Sequence, residues 1–185
     1  MHVADQIQRA VGIAVALGAL LLVATGSLLS QTPQKDEETS SEACTASAWD
    51  LYNRKDYSGA AKKARSCVYF FQGKANAQEK EMDGKTVPPI GEVSETEKQN
   101  IVKRGQLNDV ATCYFIVGSS YERLYLRKVE SGSKKNEEDK NAAVEAYKAA
   151  CAYKYARTME TNKKSFWSPA EESSYALQRL GSQCP

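Results

Sequence analysis

From Ala10 to Leu29 the chain reads AVGIAVALGALLLVATGSLL, twenty residues without a formal charge. A helix of that length, rising 1.5 Å per residue, crosses the hydrocarbon core of a bilayer. Asp5 and Arg9 carry the only formal charges before the run, and the Lys35-Asp36-Glu37-Glu38 segment after it is net acidic. The positive-inside bias therefore puts residues 1–9 in the cytosol and the body of the chain on the extracytoplasmic side. Two readings share that compartment. One is an uncleaved transmembrane signal anchor over residues 10–29, which leaves a single-pass membrane protein. The other is a signal peptide removed near Ala24-Thr25-Gly26, a small-x-small site, which leaves a secreted or periplasmic one. The run exceeds the roughly 7–15 apolar residues of a signal peptide, which favours the anchor. Gly12/Ala16 and Ala14/Gly18 have the spacing that seats a second membrane helix, and ordinary small-residue content accounts for them more simply.

Outside the cytosol, cysteines can oxidise, and this chain has five: Cys44, Cys67, Cys113, Cys151 and Cys184. None forms a CxxC pair, so the spacings of zinc and thioredoxin-like sites are missing and disulfides are expected, with one cysteine left over. The single histidine, His2, lies at the N-terminus. A Ser/His/Asp triad, a Cys/His dyad or a histidine metal site in the body is thereby excluded. With 25 Lys+Arg against 23 Asp+Glu the net charge is +2, too small a field to hold nucleic acid. No cofactor motif is visible.

Residues 30–41, SQTPQKDEETSS, have almost no apolar content and read as a flexible linker ahead of a folded domain over residues 42–185. Thr39 with Glu42 has the capping-box form and opens a helix near 42–54, on which Cys44, Ala48, Leu51 and Tyr52 share a face. Asp56 is the expected N-cap of a second helix carrying Ala60, Ala64, Cys67, Val68 and Phe71, so the two make an αα-hairpin. Residues 72–93 contain Pro88-Pro89 and several glycines and read as a long loop whose first half can be helical. Ser94 with Glu97 starts a helix running to about 128, with a break near Gly105. The charged stretch 129–141 connects it to a further apolar face at Ala143, Val144, Ala146, Tyr147, Ala150 and Cys151. Ser168-Pro169-Ala170-Glu171 then caps a final helix over 169–181. No run alternates as a strand would, so the expected fold is all-α.

Two stretches resemble the tetratricopeptide repeat (TPR), a helix-turn-helix unit of about 34 residues. In the first, Asp56-Tyr57 followed by Ala60, Ala64 and Cys67 is similar to the turn and second helix, while Cys44, Ser47 and Ala48 replace the aromatic, leucine and glycine usual in the first helix. In the second, Tyr114, Val117, Gly118 and Tyr121 match one helix and Ala143, Val144, Tyr147 and Ala150 the other. About thirteen extra residues fall in the 129–141 connection. The resemblance implies about two TPR-like αα-hairpins plus a C-terminal capping helix, and a groove that takes a peptide or a partner helix. A generic antiparallel bundle satisfies the same degenerate pattern.

Residues at equal height across an αα-hairpin lie on facing helices, though height alone does not make their side chains face; on that ground Cys44 is paired with Cys67 and Cys113 with Cys151, leaving Cys184 free or intermolecular. Cys67 with Cys113, between hairpins, is the rival pairing. For catalysis, Glu171 and Glu172 point about 100° apart on a helix and cannot face one substrate, and Glu137-Glu138-Asp139 lacks the glycine and ligand spacing of a calcium loop. The expected function is non-enzymatic: a membrane-anchored or exported scaffold that docks another envelope or membrane protein in the groove between its hairpins. The alternatives are a cell-wall glycan-binding module, with Phe166 and Trp167 as the candidate binding surface, and a small structural subunit of a membrane complex.

Overall fold

The computed structural model of the chain describes residues 40–132, 137–160 and 164–185. The expected cytosolic segment 1–9, the membrane segment 10–29 and the linker up to residue 39 lie outside them. Among the described residues no helix is long and apolar enough to cross a membrane. The fold is mostly helical: α1 (Ser41–Asn53), α2 (Tyr57–Glu81), α3 (Glu95–Val102), α4 (Gly105–Glu130), α5 (Glu137–Cys151) and α6 (Pro169–Arg179), in chain order.

Local chemistry sets most of the boundaries. Ser40, one residue after the expected Thr39, caps α1, its Oγ accepting from the Ala43 N–H. Asp56 caps α2 and accepts from the Gly59 N–H at 2.9 Å. Between them Lys55 takes a left-handed conformation, φ 63°, with the Lys55 N–H on the Tyr52 carbonyl and the Asp56 N–H on that of Leu51. These two bonds close the turn that reverses the chain. The second helix runs through Gly73 to Glu81, so the first part of the 72–93 segment is helical. Ser94 caps α3 through the Glu97 N–H, and the break near Gly105 is the step from α3 to α4. Ser168 caps α6 through the Glu171 N–H, with Pro169 in its first turn.

The expectation of no strands is corrected. β1 (Gly91–Glu92), β2 (Thr158–Met159) and β3 (Ser165–Trp167) form a small antiparallel sheet in the order β1-β3-β2, in which Phe166 pairs with both Gly91 and Met159. Strands of two or three residues are too short to show a period in the sequence.

Helix α4 is the hub and packs against α1, α2, α5 and α6. One part of the core joins Cys44 and Ala48 of α1, Ala60, Ala64 and Cys67 of α2, and Cys113, Ile116 and Val117 of α4. A second joins Ala143 and Tyr147 of α5 to Ala176, Leu177 and Leu180 at the C-terminus. The small side chains at these seams let helix backbones approach closely. At Gly118 an added Cβ would lie 2.6 Å from the Tyr147 ring, so glycine is required there by contact.

The Cys44–Cys67 bridge forms as expected, with Cα atoms 5.7 Å apart. The pairing of Cys113 with Cys151 is corrected: Cys151 bonds Cys184, with Cα atoms 5.9 Å apart. Cys113 and Cys151 stand at similar heights but on different faces. The first points into the α1/α2/α4 seam, its Sγ 3.2 Å from Thr45 Oγ1, whereas the second lies at the end of α5 where the C-terminal tail passes. The rival Cys67–Cys113 pairing does not occur either, because Cys67 is already bonded to Cys44.

Candidate functional site

Sequence reasoning named three groups of site residues, and the structure distributes them. In the first hairpin Ala60 and Ala64 are fully buried in the seam, and half-buried Tyr57 sits between Tyr52, 5.2 Å away, and the Arg127 guanidinium, 4.5 Å above its ring. In the second, Val117, Ala143, Tyr147 and Ala150 are buried. Tyr147 Oη donates to Glu122 Oε2 at 2.7 Å and lies 3.2 Å from Ser119 Oγ, while Arg179 of α6 reaches the same Glu122 at 3.3 Å. Burial pushes the Tyr147 phenol well above its ordinary pKa. One carboxylate thus ties α4, α5 and α6 together.

Tyr114 and Tyr121, matched to the repeat's packing positions, are half-buried, and Tyr114 borders a groove lined by α2, α4 and α5. Tyr121 lies under the Arg65 guanidinium at 4.8 Å. Tyr114 stacks on Tyr153 at 5.9 Å, beside a hollow of about 410 Å³ bordered by Gln72, Asn76 and Glu79. Here the polar groups meet one another: Tyr153 Oη donates to Asn76 Oδ1 at 2.6 Å, and the Tyr155 N–H reaches Glu79 Oε1 at 3.4 Å. Desolvation raises the Glu79 pKa, against the pull of those backbone donors, and raises that of Tyr153 to about 12.

Phe166 and Trp167 separate. Because β3 is extended, consecutive side chains point to opposite faces. Phe166 is 3% exposed and is corrected from binding surface to core, whereas Trp167 is half-exposed on the other face. Its surroundings were not foreseen. Trp167 packs edge-on to Phe115 of α4, ring centroids 5.1 Å apart, and Phe115 lies 6.2 Å from Trp49 of α1. Trp49 in turn meets Tyr52 at 5.5 Å. An aromatic row therefore runs from Tyr57 through Tyr52, Trp49 and Phe115 to Trp167, bringing both tryptophans of the chain together. At its end is a pocket of about 350 Å³ lined by Trp49, Phe115, Trp167, Glu160 and Glu172. Both carboxylates are exposed, and Glu160 Oε2 accepts from Ser165 Oγ.

One buried residue holds the segment that carries Trp167. The neighbouring Arg157 is 2% exposed, and its guanidinium donates to the carbonyls of Lys154, Ala156 and Pro89 and to Ser168 Oγ, at 2.6–3.3 Å. Its backbone N–H donates to Asn108 Oδ1 at 3.0 Å. A buried cation so satisfied fixes the loop before β1, the approach to β2 and the cap of α6 as one piece. This role is not legible in the sequence, because an arginine between two helices reads as surface. Elsewhere, the Asp109 carboxyl, pushed up to about 6 by burial against the pull of its 2.6 Å bond from Ser41 Oγ, anchors the start of α1.

Among the described residues no group of three or more His, Cys, Asp or Glu is placed to hold a metal. Comparison with protein-family models, characterised proteins and solved structures finds no match to this chain.

Proposed function

We propose that this chain is a membrane-anchored or exported TPR-like scaffold, without catalytic activity, that docks another protein of the envelope. The observation that carries the reading is the half-exposed pocket of Trp49, Phe115 and Trp167, built by α1, α4 and the β3–α6 segment. Tryptophan and other aromatics with partial exposure are what anchor a partner, since they bury a large rigid area at small entropic cost. The helix order, two hairpins followed by α6, and the close Gly118/Tyr147 approach suit stacked repeats with a capping helix. Two disulfides suit an oxidising compartment. A pocket of this size on a small domain favours an interaction strengthened by confinement at a membrane over a free-standing high-affinity receptor.

The test is chemical cross-linking in the native membrane, followed by identification of the attached molecules. A single stoichiometric protein partner is expected, retained by Tyr69→Ala and lost in Trp49→Ala and Trp167→Ala chains that still carry both disulfides. Capture of polysaccharide in place of protein, dependent on the same two tryptophans, would overturn the reading in favour of glycan binding.

A further inference from the structure

We propose that the exposed side of α2 carrying Tyr69 and Phe70 is a lipid-contact surface, which lies against the bilayer beside the point where the chain enters the domain. This rests on the anchor reading of residues 10–29 and gives the folded domain a contact of its own with the membrane.

Tyr69 and Phe70 sit near the middle of α2, 81% and 48% exposed, with ring centroids 5.3 Å apart. Tyr69 is the most exposed large apolar side chain among the described residues. Cys67, Val68 and Phe71 on either side pack into or against the core, so the pair marks the outer side of the helix.

The register of the first hairpin fixes where along the domain this pair stands. The Cys44–Cys67 bridge sets that register. In antiparallel helices Ser41, three residues before Cys44, is level with Phe70, three residues after Cys67. Ser41 Oγ donates to Asp109 Oδ2 at 2.6 Å, which pins the entry of the chain to α4. Residues 30–39 alone separate the apolar run 10–29 from Ser40. A segment of ten residues reaches at most about 35 Å, so an anchored chain keeps the entry end of the domain within that distance of the bilayer. Tethering over such a length corresponds to an effective concentration on the order of millimolar, at which a weak surface contact is enough.

The side chains match the occupant. A tyrosine or phenylalanine ring enters the boundary between headgroups and acyl chains, and the tyrosine phenol stays with the headgroups and water. Charge does not decide the contact. Lys62, Arg65, Lys74 and Lys80 are exposed along α2, but Arg65 already lies over Tyr121. Exposed Glu42 and Glu81, and the Asp36-Glu37-Glu38 run ahead of α1, oppose the lysines. The contact therefore belongs to the two rings and needs no anionic lipid.

The test places trifluoromethylphenylalanine at position 70 and, in a second chain, at position 175. Tyr175 is 56% exposed on α6, which packs on α4 and α5, so it serves as an exposed aromatic position away from the proposed surface. Full chains carrying both disulfides are reconstituted in phosphatidylcholine nanodiscs. Fluorine line widths are read with a doxyl-labelled lipid and, separately, with a water-soluble gadolinium chelate. The doxyl lipid is expected to broaden position 70 at least about 3-fold more than position 175, and the chelate to do the reverse, as for rings buried in the interface. Tyr69→Ser should reduce the doxyl broadening at position 70 by about half, because the insertion needs both rings. Equal doxyl broadening at the two positions, or broadening at position 70 unchanged by Tyr69→Ser, would overturn the inference, the latter by showing tethering without insertion. Protection from the chelate without doxyl broadening would also overturn it, by marking a protein occupant. The two levels of proposal fail differently. A chain held in the nanodisc with position 70 in water removes the lipid contact alone, whereas a chain that does not enter the nanodisc removes the anchor and the contact together.

Discussion

The two helical hairpins solve the same packing problem by different means. In α1/α2 the chain reverses in a tight turn around Lys55, and the seam of alanines is cross-linked by Cys44–Cys67. In α4/α5 the connection is longer and the seam closes by contact, with Gly118 against the Tyr147 ring and Tyr147 fixed through Glu122 to Arg179 of α6. The bridge of that half lies outside the seam and ties the end of α5 to the tail. The first hairpin buries only small side chains of α1, namely Ser41, Cys44, Thr45 and Ala48, and so depends on its covalent link. The second buries a large aromatic ring and depends on shape.

The largest expected effect comes from removing the link where packing is thin. Closing a loop of 23 residues restricts the unfolded chain by about 3 to 4 kcal/mol, and Cys44→Ala with Cys67→Ala should lose that much, measured by urea unfolding. The Cys151–Cys184 loop of 33 residues carries the same entropic figure, yet α6 keeps its cap and its buried Ala176, Leu177 and Leu180. Its removal should cost about 1 to 2 kcal/mol, near the low end for disulfides. Equal losses would erase the contrast between the hairpins.

In the second hairpin Gly118→Ala should destabilise by about 2 kcal/mol, because overpacking against a buried ring outweighs the roughly 1 kcal/mol that alanine gains in a helix. Thermal unfolding at several denaturant concentrations measures it, and a neutral result would mean that the seam yields. The start of α1 provides a pH handle. The Asp109 carboxyl is raised from 3.8 to about 6, with burial the main cause. The folded chain therefore holds that proton more tightly than the unfolded one, so stability from this group falls as pH rises from about 4 to about 6 and stays low above. Two pKa units correspond to about 3 kcal/mol, and partial exposure reduces the expectation to about 2. Asp109→Asn, which keeps an acceptor for Ser41, should be more stable than wild type at pH 8 and indistinguishable at pH 4 in denaturation titrations. The smallest effect is at the turn: Lys55→Gly relieves a left-handed lysine and should stabilise by about 0.5 to 1 kcal/mol.

What was legible in the sequence follows the range of the forces involved. The Ser168-Pro169-Glu171 cap, the Asp56 cap and the break before Gly105 depend on neighbours within four residues, and each appears where the residues place it. Gly118 was legible as a small residue at a helix crossing. The partner of Cys151 was not, because equal height along a hairpin leaves open which face each cysteine occupies. The aromatic site was half-legible. Trp167 stood out as a tryptophan next to a helix cap, but Phe166 could be separated from it only by knowing that residues 165–167 are extended. Trp49 and Phe115 are 66 residues apart in sequence, and only the α1/α4 packing brings them together.

The central functional claim is that the partner docks on the aromatic row and not on another exposed aromatic surface. Tyr69, 81% exposed and 5.3 Å from Phe70 on α2, is the strongest competing aromatic surface. Asn53, four residues after Trp49, is exposed on the same side of α1 as that ring. A photo-reactive benzophenone side chain replacing Asn53 and, in a second chain, replacing Tyr69 compares the two surfaces in the native membrane. A discrete protein adduct from position 53 and none from position 69 is the expected result; an adduct from position 69 alone, or from neither, would contradict it.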